Sequence, residues 1–221
     1  MPGSRSVFHV KHEGSPRTLQ DVSDLIREAA TIEVPLDAAR ADNLMRFERL
    51  LRYKAVPLGL VASGDAGRLR TRHILDCLRA TTVVGKRDRS AFDLGTGAGL
   101  PGIVVAISCP ELEVSLVESK LVRVAFLELA VRELGLGNVQ ILALRAEELG
   151  GSADLCFARA FAPLERSWLV AEGMLGPGGR LVYFAGGRAG EVSPPRGTMV
   201  VHLPVPRSLE RAGALVIMSR Q

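Results

Sequence analysis

The chain has few cysteines and no long apolar run, and each shortage excludes a class of protein. Its three cysteines, Cys77, Cys109 and Cys156, are too few and too widely spaced for a disulfide framework or a zinc site, so we expect them in the core. The longest apolar runs are about five residues, whereas a membrane helix needs about 20. The N-terminus also lacks the apolar core of a signal peptide. We therefore expect a soluble, cytoplasmic protein without a membrane partner.

The sequence also lacks a cluster of metal ligands and a strong excess of one charge. The four histidines, His9, His12, His73 and His202, are scattered, so we expect no bound metal. The net charge of +4 makes the surface mildly basic. Such a surface is compatible with nucleic acid, because phosphate contacts supply much of that binding, but it does not identify a partner.

The N-terminal third of the 221 residues divides into an arm and a helical part. Residues 1–17 are polar and contain Gly, Pro and Ser, which predicts a loose arm. Helical patterns cover residues 19–32 and a second stretch that Asp37 would cap, so residues 18–66 form a helical extension. A third helix is predicted over residues 69–82, after the loop-like "AVPLGLVASGDAG". The main domain is then residues 67–221.

From residue 90 onward, strand and helix patterns alternate. The strand patterns are "AFDL", "EVSLVE", "VQILAL", "ADLCFARA", "RLVYFA", "TMVVHLPV" and "GALVIMS", with a turn at "GPGG" before the fifth. Helices are predicted between the first strands, which is typical of a doubly wound sheet. We therefore predict a Rossmann-like α/β fold with a mostly parallel seven-stranded sheet. The last two strands lack a helix between them and should pair antiparallel at one edge.

The segment "DLGTGAGLPG" follows the first predicted strand, where such folds bind ligands. A tight turn that only packs a helix onto the sheet is one interpretation. Gly97, Gly99 and Gly102 also fit the dinucleotide pattern G-x-G-x-x-G. However, Asp93 lies two residues before Gly95 and would repel a pyrophosphate. S-adenosylmethionine (SAM) carries a positive amino group and a sulfonium instead, so the carboxylate favours SAM.

Two further acidic positions suggest a nucleoside ligand. Glu118 ends the second strand 23 residues after Gly95, near the spacing at which a carboxylate meets ribose hydroxyls. This feature fits both NAD and SAM. Ala146 and Glu147 follow the third strand, where a loop would flank an adenine. Glu147 and Glu148 are alternatively a solvated pair that caps a helix.

Several segments together resemble the bacterial small-subunit (16S) ribosomal RNA guanine-N7 methyltransferases. They are "RHILDCL", "FDLGTGAGLPGIVVAI", "LVESKLVRVAFL", "RAEEL" and "ARAFAPL". The similarity covers residues 68–185 well and the ends of the chain poorly. It implies a class I SAM-dependent methyltransferase that acts on rRNA. The glycine segment alone would indicate only the cofactor, whereas "RHILD" ahead of it is specific to this family.

The resemblance implies a role for individual residues of the site. The glycine loop would hold the methionine and ribose part of SAM, Asp93 its amino end, and Glu118 the ribose hydroxyls. Arg159 would face the reaction pocket, and Arg72 and His73 would support it from the preceding helix. A histidine at position 73 is alternatively a structural one. The implied cofactor residues are Asp93, Gly95, Thr96, Gly97, Gly99, Leu100, Glu118, Ala146, Glu147 and Arg159.

The acceptor chemistry is consistent with the residues that are missing. Guanine N7 has a free lone pair and no proton to lose, so positioning suffices and no general base is expected. Enzymes for exocyclic amino groups resemble one another in an Asn/Asp-Pro-Pro-aromatic motif after the fourth strand, where this chain has "RAFA". Cys156 lies inside a strand and is a poor nucleophile for pyrimidine C5. Since the product is cationic, Arg159 would bind a phosphate or the cofactor carboxylate.

Three departures from the family pattern keep other acceptors open. The usual Asn-Leu-Thr segment is "PLGLVAS" here, Gly186-Gly187 replaces Lys-Gly, and the basic tail is reduced to Arg220. The alternatives are a SAM-dependent methyltransferase of another RNA or a small molecule, or a catalytically silent RNA-binding relative. The expected partner is small-subunit rRNA or the 30S subunit, with a monomer favoured.

Overall fold

The structure is a computed structural model that describes residues 19–186, 195, 197–209 and 212–221. The arm predicted over residues 1–17 lies outside these residues. The first helix, α1, spans Leu19–Ala30, and the second, α2, spans Ala38–Leu50 and continues as a π-helical turn over Leu51–Ala55. Asp37 caps α2 as predicted, because its side chain accepts a hydrogen bond of 2.7 Å from the Arg40 amide.

The third predicted helix is present but irregular. A π-helical turn over Arg70–Ile74 leads into α3 (Leu75–Leu78), which tightens into a 3₁₀ turn over Arg79–Val83. The stretch before it, predicted as a loop, contains a 3₁₀ turn at Ser63–Arg68. This continuous helical segment carries the "RHILD" residues, and we call it the RHILD helix (residues 70–83).

Seven strands form one sheet. They are β1 (Ser90–Leu94), β2 (Glu113–Val117), β3 (Val139–Leu142), β4 (Ala153–Arg159), β5 (Leu175–Phe184), β6 (Thr198–Leu203) and β7 (Leu215–Arg220). Their order is β3-β2-β1-β4-β5-β7-β6. The first five pair in parallel, and β7 pairs antiparallel with both β5 and β6. The predicted sheet is confirmed.

The "GPGG" segment was wrongly predicted as a turn that precedes the strand. It belongs to β5, but the pairing with β4 jumps from Ala153 opposite Leu175 to Leu155 opposite Arg180. The glycines therefore form a bulge, and Gly178 has a φ of +74°, which favours glycine. A turn-like composition inside a strand is the signature of such a bulge.

Helices cross between the parallel strands and bury apolar faces against them. They are α4 (Gly102–Ser108), α5 (Leu121–Leu134) and α6 (Leu164–Glu172). One hydrophobic core joins residues of α1 and α2 to residues of the RHILD helix, α4, α5 and the sheet. The boundary near residue 66 stays a prediction.

The three thiols are free, and the two on the RHILD helix and β4 are fully buried, as expected of core cysteines. Burial raises the pKa of Cys77 to about 12 and that of Cys156 to about 12. Both thiols are thus protonated and poorly nucleophilic at neutral pH. None of the helices within the described ranges is long and apolar enough to cross a membrane.

Candidate cofactor and substrate site

The predicted site residues meet at the carboxyl edge of the central strands. In β1, Asp93 pairs with Leu116 of β2 and with Phe157 of β4. Glu118 directly follows β2, and Arg159 is the last residue of β4. Since β2 and β4 flank β1 on opposite sides, these three charged side chains surround the glycine loop, at the point where the strand order reverses.

The glycine loop has a backbone that other residues rarely adopt. Gly95, Gly97 and Gly99 have φ values of +62°, +61° and +84°. Space is also limited, because a Cβ atom on Gly95 would lie 2.7 Å from Cδ2 of Phe161. The loop is thus shaped by requirements of backbone and space together, which an ordinary turn does not need.

Asp93 lies inside the loop and is fully buried. Its Oδ2 accepts hydrogen bonds from Thr96 Oγ1, at 2.5 Å, and from the Gly102 amide, at 2.7 Å. Burial raises the pKa of this carboxyl to about 6, although both hydrogen bonds act to lower it. Oδ1 is buried and has no hydrogen-bond partner. An unpartnered acceptor at this position fits the ammonium group expected of SAM.

Glu118 ties the end of β2 to the glycine loop. Its Oε2 accepts from the Gly97 amide and from Arg123 Nη1, both at 3.2 Å, and its Oε1 accepts from the Lys120 amide at 2.9 Å. Oε1 therefore keeps a lone pair for a further donor. The carboxylate is oriented by the protein itself, which suits the predicted role of binding ribose hydroxyls.

The residues predicted to lie in the turn after β3 have different environments in the structure. Ala146 is buried, whereas Glu147 is exposed and its Oε1 lies 3.0 Å from Arg166 Nη2. Glu148 accepts a hydrogen bond from the Arg145 amide in a capping arrangement. The capping interpretation therefore holds for Glu148. A role of Ala146 and Glu147 beside an adenine stays a prediction.

The other two loop residues of the predicted set, Thr96 and Leu100, are both buried. Thr96 binds Asp93, as described above, and its carbonyl accepts from the Leu100 amide at 3.1 Å. Leu100 packs into the hydrophobic core. Their positions support the loop from within, and direct contact with a cofactor stays a prediction.

Arg159 is held in place by three groups of the RHILD helix. Its Nη2 donates to the Arg72 carbonyl and to His73 Nδ1, both at 3.1 Å, and its Nε lies 3.5 Å from Asp76 Oδ2. Burial acts to lower the pKa of Arg159, but the nearby carboxylates of Asp76 and Asp93 oppose it, and the pKa is raised. The guanidinium is thus charged and fixed beside the glycine loop.

His73 is almost buried, and both of its ring nitrogens have partners. Nε2 lies 3.2 Å from Asp65 Oδ2, which also accepts from Arg72 Nε at 3.0 Å. Burial and then the charge of Arg159 lower the pKa of His73, so the ring is neutral at pH 7. The structural interpretation of this histidine therefore holds, because both ring nitrogens are bound within the protein. Its role in supporting the reaction pocket stays a prediction.

Sequence reasoning missed Asp65 and Asp76. Asp65 lies in a segment assigned to a loop, and only its distance from His73 identifies it. Asp76 was part of "RHILD", and its spacing of four from Arg72 and three from Arg79 places it on one face of a helix, which was a usable signal. Asp76 Oδ1 lies 2.6 Å from Arg79 Nη2, and the pair is nearly buried.

A cavity of about 870 Å³ opens beside Arg159. Four arginines line it against two aspartates, and Tyr183 and Gly186 contribute from the end of β5. Gly186 stands at the Lys-Gly departure, and Gly187 lies outside the described residues. The charged lining residues are Arg68, Arg72, Arg159, Arg207, Asp65 and Asp76.

The chain after Arg159 is strained where it borders this cavity. Ala160 has a φ of +54°, a value that non-glycine residues adopt at a cost of about 1–3 kcal/mol. The Tyr183 hydroxyl donates to the Ala162 carbonyl at 3.2 Å and holds the strained segment against β5. Strain that the surrounding structure maintains is typical of functional sites.

The sheet order, the glycine loop and its two carboxylates define a Rossmann-like class I SAM-dependent methyltransferase. Solved structures of other proteins share this fold, among them the following two. A SAM-dependent methyltransferase from Aquifex aeolicus superposes with a TM-score of 0.54 at 16% identity, over 73% of this chain and 97% of that one. A mutant of MtNAS in complex with S-adenosylmethionine superposes with a TM-score of 0.55 at 15% identity, over 90% of this chain and 78% of that one.

Sequence comparison identifies the family. The model of the family GidB, rRNA small subunit methyltransferase G, matches residues 40–193. The ribosomal RNA small subunit methyltransferase G of Stenotrophomonas maltophilia (strain K279a) is 43% identical over 165 residues, which cover 72% of this chain and 77% of that protein. The protein of that name from Mycobacterium leprae is 35% identical over 193 residues, covering 81% and 76%. This chain belongs to the rRNA small subunit methyltransferase G family, as its sequence motifs predicted.

Proposed function

We propose that this protein transfers the methyl group of S-adenosylmethionine to N7 of a guanine in small-subunit (16S) rRNA. The observation that carries the proposal is the position of Arg159, which stands between the glycine loop and a cavity lined by four arginines. Polyanionic RNA is attracted to such a lining. The names of the family and of its members point to the same substrate class.

The cofactor residues act by holding and orienting. S-adenosylmethionine supplies an electrophilic methyl group on a sulfonium. The unpartnered Oδ1 of Asp93 would accept from its ammonium group, and Glu118, fixed by two backbone amides, would accept from ribose hydroxyls. Both carboxylates favour a cationic ligand without a phosphate, in agreement with the sequence argument.

The acceptor side requires no base. The lone pair of guanine N7 forms a bond to the methyl carbon as the carbon–sulfur bond breaks, so the guanine becomes cationic and no proton is released. Effective alignment of the two reactants supplies much of the acceleration. Asp76 partly neutralises Arg159, which reduces repulsion between the guanidinium and the cationic product. Arg159 would itself bind a phosphate or the cofactor carboxylate.

The partner is proposed to be the 30S subunit, or the 16S rRNA within it, in the cytoplasm. The test is to incubate the purified chain and SAM labelled in its methyl group with two acceptors from a strain that lacks the gene: 30S subunits and naked 16S rRNA. Nucleoside mass spectrometry then identifies the modified base. We expect label in 7-methylguanosine of small-subunit rRNA. Label in another nucleoside would contradict the proposal.

The silent RNA-binding alternative gives a separate result in the same assay. It predicts that the chain binds RNA in a salt-dependent way without transferring the label. A parallel titration with S-adenosylhomocysteine checks the cofactor site, since a chain that binds NAD and not this ligand would contradict the cofactor assignment.

A further inference from the structure

Four side chains form a continuous row along the wall of the cavity, in the order Asp65, His73, Arg159 and Asp76. Asp65 lies before the RHILD helix, His73 and Asp76 lie on it, and Arg159 ends β4. Adjacent members lie 3.2, 3.1 and 3.5 Å apart. All four line the cavity, and His73 is only 7% exposed.

The chemistry of the partners determines which ring nitrogen of His73 carries the proton. Arg159 has only donors, so His73 Nδ1 must be the acceptor in their contact. The proton is then on Nε2, which donates to Asp65 Oδ2. Arg68 donates to Oδ1 of Asp65 and Arg72 donates to Oδ2, so both oxygens of this carboxylate act as acceptors here.

A second proton on His73 would disrupt this arrangement. It would place an N–H on Nδ1 against the N–H of Arg159, so that two donors and two positive charges would face each other across 3.1 Å. Arg72 adds a further positive charge near the ring, and among the residues that the structure describes Asp65 is the carboxylate that contacts the ring. The contact of His73 with Arg159 therefore depends on the neutral, Nε2-protonated ring.

We propose that Asp65 and His73 are positioning residues for Arg159: Asp65 keeps the proton on Nε2, and the lone pair on Nδ1 fixes the guanidinium at the cavity. The inference rests on the proposed function, in which Arg159 binds an anionic group of the substrate or cofactor. It adds that the reaction requires one tautomer of one histidine. The transfer rate should then fall when that ring is protonated.

The tautomer is measured directly, without any reaction. Protein labelled with ¹⁵N histidine gives separate Nδ1 and Nε2 resonances, and the His73→Asn variant assigns those of His73. We expect a neutral ring protonated on Nε2 at about pH 7. His202, which is exposed on β6, gives a solvent-exposed reference signal in the same spectrum. A ring protonated on Nδ1, or doubly protonated, would overturn the proposal whether or not the chain methylates RNA.

A pair of matched amide variants tests the consequence for catalysis. His73→Asn places an amide oxygen near the position of Nδ1 and can still accept from Arg159, whereas His73→Gln places its amide near Nε2 and cannot. We expect transfer within about 3-fold of the unchanged protein for His73→Asn and a loss of about 10-fold or more for His73→Gln, the scale of one charge-assisted hydrogen bond. Equal activity of the two variants would refute the role of the Nδ1 lone pair.

The pH profile separates positioning from a merely structural role. Protonation of His73 should lower transfer by the unchanged protein on the acid side of the ordinary histidine range, and the Asp93 carboxyl, whose pKa burial raises to about 6, gains a proton over a similar range. At saturating S-adenosylmethionine, His73→Asn should remove the part of the acid-side fall that protonation of His73 causes. His202→Asn should leave the profile as it is. An acid limb that persists unchanged in His73→Asn would overturn the proposal. If the unchanged protein transferred no methyl group to 30S subunits, the proposed function would fail, and the tautomer measurement would still decide the positioning.

Asp65→Asn tests the other end of the row. The side-chain amide of this variant can donate to Nε2 of His73, which would favour a proton on Nδ1. A protonated Nδ1 can no longer accept a hydrogen bond from Arg159. We expect the ¹⁵N spectrum to show a gain of the Nδ1-protonated ring and transfer to fall about 10-fold. If both the tautomer and the transfer rate were unchanged, Asp65 would not determine the tautomer of the His73 ring.

Discussion

The backbone amide of Gly102 donates a hydrogen bond of 2.7 Å to Oδ2 of Asp93. This contact joins the start of α4 to the end of β1, and Thr96 binds the same oxygen from within the loop. One carboxylate oxygen thus closes the glycine loop, while the other has no partner. Asp93 is therefore costly to bury in the cofactor-free protein and well placed to receive a cationic group.

The first prediction concerns the stability cost of Asp93. Its pKa in the folded protein is about 6, against an ordinary 3.8, so between these pH values the folded chain keeps a proton that the unfolded chain releases. Stability then falls as pH rises through this window, by at most about 3 kcal/mol above it. We expect Asp93→Asn to be more stable than the unchanged protein at about pH 8 and equal to it near pH 4, measured by urea unfolding.

Asp154→Asn provides the control with the opposite sign. Backbone amides of Arg89 and Ser90 bind the Asp154 carboxylate and lower its pKa, with the Arg89 amide the larger cause. Its contribution to stability is present at neutral pH and is lost as pH falls through the folded pKa. Asp154→Asn should thus destabilise the protein at neutral pH. A destabilised Asp93→Asn variant at pH 8 would contradict the first prediction.

The second prediction is that Gly102→Ala disrupts the loop closure. A Cβ atom at this position would lie 2.3 Å from Leu116 Cδ2 and 2.6 Å from Asp93 Oδ2, so both must move. We expect a loss of about 1–3 kcal/mol in the free energy of unfolding, typical of overpacking. Gly137→Ala is the matched control because nothing lies within 4 Å of its Cβ position. Equal stability of the two variants would count against the close packing described for Gly102.

The third prediction is that Glu118→Gln weakens cofactor binding without unfolding the protein. The neutral amide keeps the size of the side chain and loses charge-assisted hydrogen bonds, so we expect about a 10-fold higher Kd for S-adenosylhomocysteine, or about 1.4 kcal/mol. Calorimetry measures the affinity, and circular dichroism checks the fold. Glu172→Gln, at an exposed pair with Arg220, should leave the affinity unchanged. An affinity of Glu118→Gln within error of that control would remove Glu118 from the cofactor site.

The fourth prediction distinguishes the two anionic partners proposed for Arg159. Lysine keeps the charge but cannot reproduce the planar fork that contacts Arg72, His73 and Asp76, so we expect kcat/KM of Arg159→Lys to fall about 10-fold or more. Weaker binding of S-adenosylhomocysteine would assign the cofactor carboxylate, and weaker binding of 16S rRNA would assign a phosphate. Arg132→Lys, on the exposed side of α5, is the control. Full activity of Arg159→Lys would refute its role in the site.

Patterns along the chain predicted much of this protein because their causes are local. The alternation of strand and helix follows hydrophobic periodicity, which each segment carries by itself. The Asp37 cap and the positive φ values of the glycine loop also depend on neighbouring residues alone. The prediction of a turn at "GPGG" was wrong because these residues suit a turn and a bulge equally, and only the pairing with β4 distinguishes the two.

The network around Arg159 shows where sequence patterns stop being informative. His73 and Arg159 are 86 positions apart, and no periodicity relates them. Asp65 lies in a glycine-containing segment whose composition is that of any loop. Their contacts arise because the RHILD helix lies against Arg159 at the carboxyl end of β4.

The sequence by itself determined the fold class, the SAM loop and the family. These depend on short segments of the chain and on the position of Asp93, two residues before the first glycine of the loop. Only the tertiary structure decided that Asp93 has one unpartnered oxygen, and that His73 must be neutral and protonated on Nε2. Those properties belong to atoms whose partners come from distant segments. Burial and charge at such contacts set the protonation of a side chain, and both exist only once the chain has folded.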